Sequence, residues 1–371
     1  MVLALVTIAA VLAGLRVAVR LVATAGGAPL GAAPPAPAPA RSLDVIVPVL
    51  DEELRLGPAL AAVSACDASV GAILVVDGGS RDGTRALVLR AAATDARIRL
   101  IEAGPPPPGW NGKAWNLATG LRHGDAPYVA TVDADARVEP GLFAAALARL
   151  DDARLVALSV ATRQELADLG AGLLHPALLT TLVYTAGIPN TATSDPLAVQ
   201  ANGQVFLARR DALVEGDAFA VARASRCEDV TVARVLAARG GRVGFYEGDA
   251  VVRMHESWRD CARNWPRSLT LRDQFVSATH FWLRWTMLLL AQGLPLPLLI
   301  LAPAGALRAA ALGLVFLRLG VLAGTRRAYV RAPWTYWLSP LADLPALALL
   351  AASALRRRHI WRGRTLVEES S

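Results

Sequence analysis

Two aspartates one residue apart, Asp133 and Asp135 in "YVATVDADARVEP" (128–140), close an apolar run. At the end of an extended strand, residues i and i+2 point to one side. The pair could then present hard carboxylate oxygens to Mg²⁺ or Mn²⁺ and leave other positions to diphosphate oxygens. A metal held so would neutralise charge on a departing diphosphate. The same triplet also punctuates ordinary turns, so the rest of the chain must decide.

Other stretches carry compatible chemistry. In "VVDGGSRDGT" (75–84), Asp77 ends an apolar run and glycines follow. A carboxylate there can accept from a nucleobase or ribose hydroxyl, with glycine leaving room for the ligand; a plain β–α turn reads the same way. In "PPPPGWNGKAWNLATG" (105–120), Lys113 falls in the first turn of a helix, where a cation opposes the dipole. A lysine aimed at phosphate makes better sense of that position than helix stability does. "SRCEDVTVARVLAARG" (225–240) puts Glu228 and Asp229 ahead of an amphipathic helix. They are either favourable N-terminal charge or a general base for an acceptor hydroxyl. His255 is an extra ligand, a phosphate contact or a structural imidazole. Arg263 and Trp265, in "SWRDCARNWPRSL" (257–269), suit an interfacial helix with snorkelling Arg and anchoring Trp, or a segment closing over a diphosphate.

These residues need a scaffold that gathers them. "LDVIVPVL" (43–50), "GAILVVDGGS" (71–80), "IRLIEA" (98–103) and "PYVATVDAD" (127–135) are short apolar runs separated by helical patterns. The alternation predicts an α/β fold with a mostly parallel sheet, whose ligands bind beyond the carboxyl ends of the strands. "VDGGS" and "VDAD" both fall at such ends.

The 371-residue chain is 54% hydrophobic with a net charge of +7 and a mean hydropathy of +0.40. The apolar excess collects at the two ends, which predicts membrane segments around a soluble middle. Residues 1–25 read as a transmembrane anchor, 26–41 as a Pro/Ala linker, 42–275 as the catalytic domain, 276–355 as C-terminal membrane segments and 356–371 as a basic cytoplasmic tail. The three C-terminal candidates are 285–303, 310–324 and 334–355. Three full crossings would put the basic tail on the wrong side for the positive-inside rule. One of them, the first or the Pro-broken third, is therefore expected to be interfacial or re-entrant. Arginines concentrate beside the apolar segments rather than in a nucleic-acid-binding arm, so no nucleic-acid partner is expected. Cys66, Cys227 and Cys261 are far apart and make no disulfide or metal framework. They read as idle thiols in a reducing compartment.

The ordered set "VIVPVLDEE", "VVDGGSRDGT", "NGKAWNLATG", "VDADARVEPG", "ANGQVFLARRDAL" and "CEDVTVARVL" resembles the family 2 glycosyltransferases over residues 43 to 270. "PPPPGWNGKAW", the flanking membrane segments and "HIWRGR" look like the subgroup that glycosylates carotenoids, hopanoid-associated lipids and other isoprenoids. The resemblance implies a GT-A (Rossmann-like) catalytic domain with N- and C-terminal transmembrane helices, in the plasma membrane with the domain cytoplasmic. It implies an NDP-sugar donor, UDP-linked or similar, a lipid or isoprenoid acceptor, and Mg²⁺ or Mn²⁺. The loop from Pro48 to Glu52 and Asp77 would hold the nucleoside, and Lys113 would approach the donor. Asp133 would touch ribose or sugar, with Glu228 beside the donor. Asp135 would bind the metal, with His255 as an additional ligand. Asp229 would be the base of an inverting transfer, Gly203 and Gln204 would line the acceptor side, and Arg263 and Trp265 would stand near the donor. A small processive polysaccharide synthase and a catalytically silent membrane scaffold are the alternative readings.

Overall fold

A computed structural model describes residues 1–31, 39–253, 257–355, 358–361 and 364–367. They form two compact units. One is built mainly from Gly27–Arg163 and Pro189–Val252, the other from Met1–Gly26, Gln164–Ile188 and Arg253–Arg357. This differs from an uninterrupted catalytic segment 42–275: residues 164–188, and those from 253 onward, cluster with the apolar helices instead.

The first unit is organised on one sheet. Its strands are β1 (Leu43–Val49), β2 (Val70–Asp77), β3 (Ile98–Glu102), β4 (Tyr128–Val132), β5 (Ala136–Val138), β6 (Ala157–Glu165), β7 (Thr191–Thr193), β8 (Val205–Arg209) and β9 (Val243–Val252). They run in the order β3-β2-β1-β4-β8-β6-β9-β5, with β7 on β9. β1 to β4 are parallel, whereas β8 pairs antiparallel with both β4 and β6, and β9 with β5 and β7. The expected parallel sheet is thus one half of a mixed sheet. The parallel half reads as continuous apolar runs because both its faces are covered: Ile46, Leu74 and Val76 pack with Leu117, Ala118 and Leu121 of the helix Gly112–Arg122. At Gly120 that helix approaches so closely that a Cβ would lie 3.1 Å from Val76 Cγ2. Burying each of these large side chains contributes about 1.5–3 kcal/mol.

Pro48 in a central strand looks anomalous, since proline cannot donate to a ladder. The pairing resolves it. β1 and β4 pair only as far as Ile46 with Thr131, while β1 and β2 continue to Val49 with Asp77. Pro48 therefore lies past the end of β4, where the strands open towards the site. Asp44, at the other end of β1, is buried and accepts from Asp125 N, Ala126 N and Arg210 Nη2, the last at 2.6 Å.

The second unit contains Val2–Thr24, Leu169–Ala186, Ala306–Ala328 and Trp334–Leu355, four helices long and apolar enough to cross a membrane. A fifth candidate is the pair Ala278–Gly293 and Pro295–Leu301, bent by 49°. The bend falls in the first of the three expected C-terminal segments. Arg318 and Asp343 form a buried pair at 2.8 Å, and Gln292 Nε2 donates to Asp343 Oδ1 at 3.0 Å. Charge inside an apolar helical unit persists only when paired in this way.

Leu169–Ala186 was not anticipated as an apolar helix. It cannot make a single membrane crossing. It follows β6 and precedes β7, and both strands belong to one sheet. Only residues 187–190 separate its end from β7, far fewer than the roughly 20 needed to return across a bilayer. Beyond the last helix, the expected tail includes a short antiparallel pair, Arg358–Trp361 with Arg364–Val367.

Candidate functional site

The carboxyl ends of β1 and β2 lead into two loops that are laced together. Asp51, at φ 54°, donates its N–H to Ser80 Oγ at 3.0 Å, and its Oδ1 accepts from Arg81 N at 2.7 Å. Glu52 N donates to Thr84 Oγ1 at 2.8 Å, Glu53 N to Asp82 Oδ2 at 3.1 Å, and Gly83 N to Glu53 Oε2 at 3.0 Å. Asn116 reaches up from the helix Gly112–Arg122, its Nδ2 donating to the carbonyls of Val49 (3.3 Å) and Val76 (3.1 Å). A Cβ at Gly78 would lie 3.0 Å from that Nδ2, so the close approach of Asn116 favours glycine there. Asp77 is buried, and its Oδ1 accepts from Gly79 N, Ser80 N and Ser80 Oγ, while Oδ2 lies 3.8 Å from Arg85 Nε. Its first task is thus to shape the turn that follows β2.

Lys113 is the hub of the acidic edge. Asn111 caps its helix, accepting from Ala114 N at 2.7 Å. Lys113 Nζ lies 2.7 Å from Asp133 Oδ1 and 2.9 Å from Glu228 Oε1. The unfavourable dipole position is offset by this double ion pair. A Cβ at Gly203 would sit 2.6 Å from Lys113 Nζ and 3.3 Å from Asp229 Oδ2. Any side chain at 203 would push the Lys113 ammonium from its place. Asn202 pins that loop to β6, donating through Nδ2 to the Val160 carbonyl at 2.8 Å. Gln204 turns away from Gly203, its Oε1 accepting from Thr162 Oγ1, while its carbonyl holds Asp133 N at 3.1 Å.

Asp133 and Asp135 are not on an extended strand. β4 stops at Val132, and Ala136 N closes a turn on the Asp133 carbonyl at 2.9 Å before β5 pairs with β9. The turn gives the two carboxylates different surroundings: Asp133 pairs with Lys113, whereas Arg55 and Glu52 act on Asp135 more strongly than Lys113 does. Burial pushes the Asp133 carboxyl up to about 6 against the pull of Lys113, with Asp135 adding repulsion. Burial also raises Asp229 to about 6, with repulsion from Glu228 on the same side and Lys113 opposing it. Burial raises Asp135, while the Arg55 guanidinium holds it down. Lys113 is held well above its ordinary value by Asp133, Glu228 and Asp229, which together outweigh its burial. The Lys113 ammonium and the Arg55 guanidinium, which pairs with Glu52 at 3.0 Å, are outnumbered by the carboxylates Glu52, Asp133, Asp135, Glu228 and Asp229.

Such an edge suits a divalent cation. Among the described residues no group of three or more His, Cys, Asp or Glu side chains could hold a metal by itself. Mg²⁺ and Mn²⁺ bound with nucleotides need only one or two carboxylates, the phosphates completing the shell. Asp135, half-buried beside a second carboxylate, Glu52, fits that requirement. His255 lies outside the described residues. Arg263 and Trp265 belong to the other unit, where Arg263 is exposed and Trp265 stacks on His175 with ring centroids 4.0 Å apart.

Asn111, Asn116 and Cys227 were missed as site residues. Asn116 carried a readable signal, a polar side chain on the helix face that otherwise packs into the sheet. Cys227, expected to be idle, donates through Sγ to Asp229 Oδ1 at 3.0 Å.

The half-parallel sheet, the laced loops beyond β1 and β2 and the acidic edge beyond β4 define a nucleotide-sugar transferase of GT-A fold. Residues 44–185, which carry Asp77, Lys113, Asp133 and Asp135, match the family described as Glycosyl transferase family 2. The chain is a glycosyltransferase, with a family 2 domain over those residues. No curated protein matches it. Among solved structures, a mannosyltransferase from Pyrobaculum calidifontis in complex with GDP-Man and Mn²⁺ superposes with a TM-score of 0.57 at 19% identity, covering 95% of this chain and 98% of that one. Glucosyl-3-phosphoglycerate synthase from Mycobacterium tuberculosis, in complex with UDP, gives a TM-score of 0.41 at 17% identity, covering 62% and 78%.

Proposed function

We propose that this glycosyltransferase moves one sugar from an NDP-sugar to a hydroxyl of a lipid or isoprenoid acceptor, by single displacement with inversion. One observation carries the reading: the same chain joins the Lys113–Asp133–Glu228–Asp229 cluster to helices long and apolar enough for a bilayer. A soluble acceptor gives no reason for that combination. The arginines beside the apolar segments, Arg326, Arg327 and Arg331, favour a multi-pass protein of the plasma membrane with a cytoplasmic catalytic unit.

The residues divide the work. The laced loops from Pro48 to Glu52 and from Asp77 to Thr84 offer a rigid seat for the nucleoside. Asp133, tied to Lys113, faces the ribose or sugar, and Glu228 holds the other side of the ammonium. Asp135 would hold Mg²⁺ or Mn²⁺, which when bound offsets the charge of the leaving diphosphate. Asp229 accepts the proton of the acceptor hydroxyl as its oxygen bonds to the anomeric carbon and the bond to the diphosphate breaks, releasing NDP. Its raised affinity for protons suits a base working near neutrality. Gly203 opens the acceptor side next to Asp229. UDP- and GDP-linked sugars are both candidates, the latter because of the GDP-Man bound by the archaeal mannosyltransferase.

The test is incubation of membranes carrying the protein with a panel of UDP- and GDP-sugars and lipid extract, with Mg²⁺ or Mn²⁺ present or chelated, followed by mass spectrometry of the lipids. The expected product is a lipid bearing one sugar, formed only with metal and lost in Asp229→Asn, which still binds donor. A long polymer would point to the processive alternative, and the absence of any glycosylated lipid across the panel would refute the acceptor class.

A further inference from the structure

Cys227 has no task in the reaction just described, yet hydrogen bonds tie it into the site. Asn111 caps the helix of Lys113 through Oδ1 and donates through Nδ2 to the Ser225 carbonyl at 2.6 Å. Ser225 Oγ accepts from Cys227 N at 3.1 Å and lies 2.8 Å from Thr231 Oγ1. Cys227 Sγ donates in turn to Asp229 Oδ1 at 3.0 Å. The series runs from the helix that carries Lys113 to the carboxylate assigned as base.

We propose that Cys227 is a positioning residue for glycosyl transfer: its thiol, anchored through Ser225 and Asn111, holds Asp229 Oδ1 and leaves Oδ2 turned to the acceptor side at Gly203. The inference rests on Asp229 being the base. Oδ2 is the oxygen nearest that side, since a Cβ at Gly203 would lie 3.3 Å from it. A thiol is a weak donor with no charge of its own, so it orients the carboxylate without competing for the proton. Burial and the neighbouring carboxylates Asp229 and Glu228 push the thiol well above its ordinary value, which keeps it protonated. The charged groups that face Asp229 are Glu228 on its own helix, Lys113 from the helix Gly112–Arg122 and Asp133 from the end of β4. The acceptor hydroxyl gives its proton to Oδ2, and the thiol keeps its own throughout.

The test compares Cys227→Ala and Cys227→Ser in the full-length membrane enzyme, with UDP-glucose and GDP-mannose as donors and extracted lipid as acceptor pool. Cys227→Ala should lower kcat about tenfold, the weight of one hydrogen bond to a charged group, with donor KM unchanged. Its acid limb should move to higher pH, because losing a donor makes Asp229 hold its proton more tightly. Cys227→Ser should restore both rate and limb. A second measurement needs no turnover: alkylation of Cys227 followed against pH, in a Cys66→Ala/Cys261→Ala background. Asp229→Asn should bring the midpoint of that reaction to lower pH, since a carboxylate no longer opposes the thiolate. Wild-type rate and pH profile in Cys227→Ala, or an unmoved alkylation midpoint in Asp229→Asn, would overturn the proposal. Normal turnover in Asp229→Asn would overturn the base assignment instead.

Discussion

Replacing Lys113 by methionine keeps the length of the side chain and removes the one ammonium that Asp133 and Glu228 share at 2.7 and 2.9 Å. Removing one partner of a buried ion pair costs about 3–5 kcal/mol. The Lys113 side chain is 18% exposed and that of Asp133 28%, so solvent screening reduces the figure to about 2–3 kcal/mol. The loss should depend on pH, and its sign is fixed. Asp133 and Asp229 sit at about 6 in the folded protein against an ordinary 3.8. Each therefore stabilises the fold below its ordinary value and loses that contribution as pH rises through the window up to about 6. Without Lys113 both carboxyls hold protons to still higher pH. The variant should be destabilised most at about pH 7.5, with Tm lowered by about 5–10 °C, and less at about pH 5, where Asp133 and Asp229 are largely protonated. Thermal unfolding of the solubilised protein at the two pH values reads this directly. An equal Tm loss at both, or no loss at the higher pH, would show that Lys113 does not neutralise the acidic edge.

Two further changes have clear expectations. Gly203→Ala places a Cβ 2.6 Å from Lys113 Nζ; it should cut turnover at least about tenfold by displacing the lysine, while the far-ultraviolet circular dichroism stays unchanged. Asp44→Asn leaves the Arg210 guanidinium without its buried carboxylate. It should cost about 3 kcal/mol in chemical denaturation, with donor binding retained at temperatures where the variant is folded.

The strands of the parallel half were readable because burial makes each a short, mostly apolar run rich in β-branched residues, as in Leu43–Val49 with its Val45, Ile46, Val47 and Val49. The antiparallel half was not, because β5 and β7 are three-residue strands that exist only through pairing with β9. The same long-range pairing decides the "VDAD" geometry: a turn ahead of β5 sends Asp133 to Lys113, whereas the triplet alone suggested an extended end with both carboxylates side by side. Asp229 and Lys113 were legible as charged residues at helix starts, but their common neighbour Gly203 is apparent only in three dimensions. Leu169–Ala186 escaped notice because His175, Pro176, Thr180 and Thr181 dilute its apolar run; its hydropathy is 1.3 against 2.5 for Val2–Thr24. Buried inside the second unit, those polar residues find partners: His175 Nδ1 meets Tyr329 OH at 2.9 Å, and Thr180 donates to the Pro176 carbonyl at 2.8 Å.

The insertion of Leu169–Ala186 between β6 and β7 also sets an order of events during synthesis. β4 has no partner on its outer side until β8 is made, and β8 emerges only after the apolar helix. The ribosome therefore releases a half-sheet with an open edge, then a segment that seeks apolar surroundings, and only then the strands that cover the edge. Parallel and long-range pairings are slow to form, and exposed edges invite association with other chains. Until residue 209 has been made, the open edge of β4 and the apolar stretch are exposed together on the emerging chain, and β8 is the strand that ends that exposure.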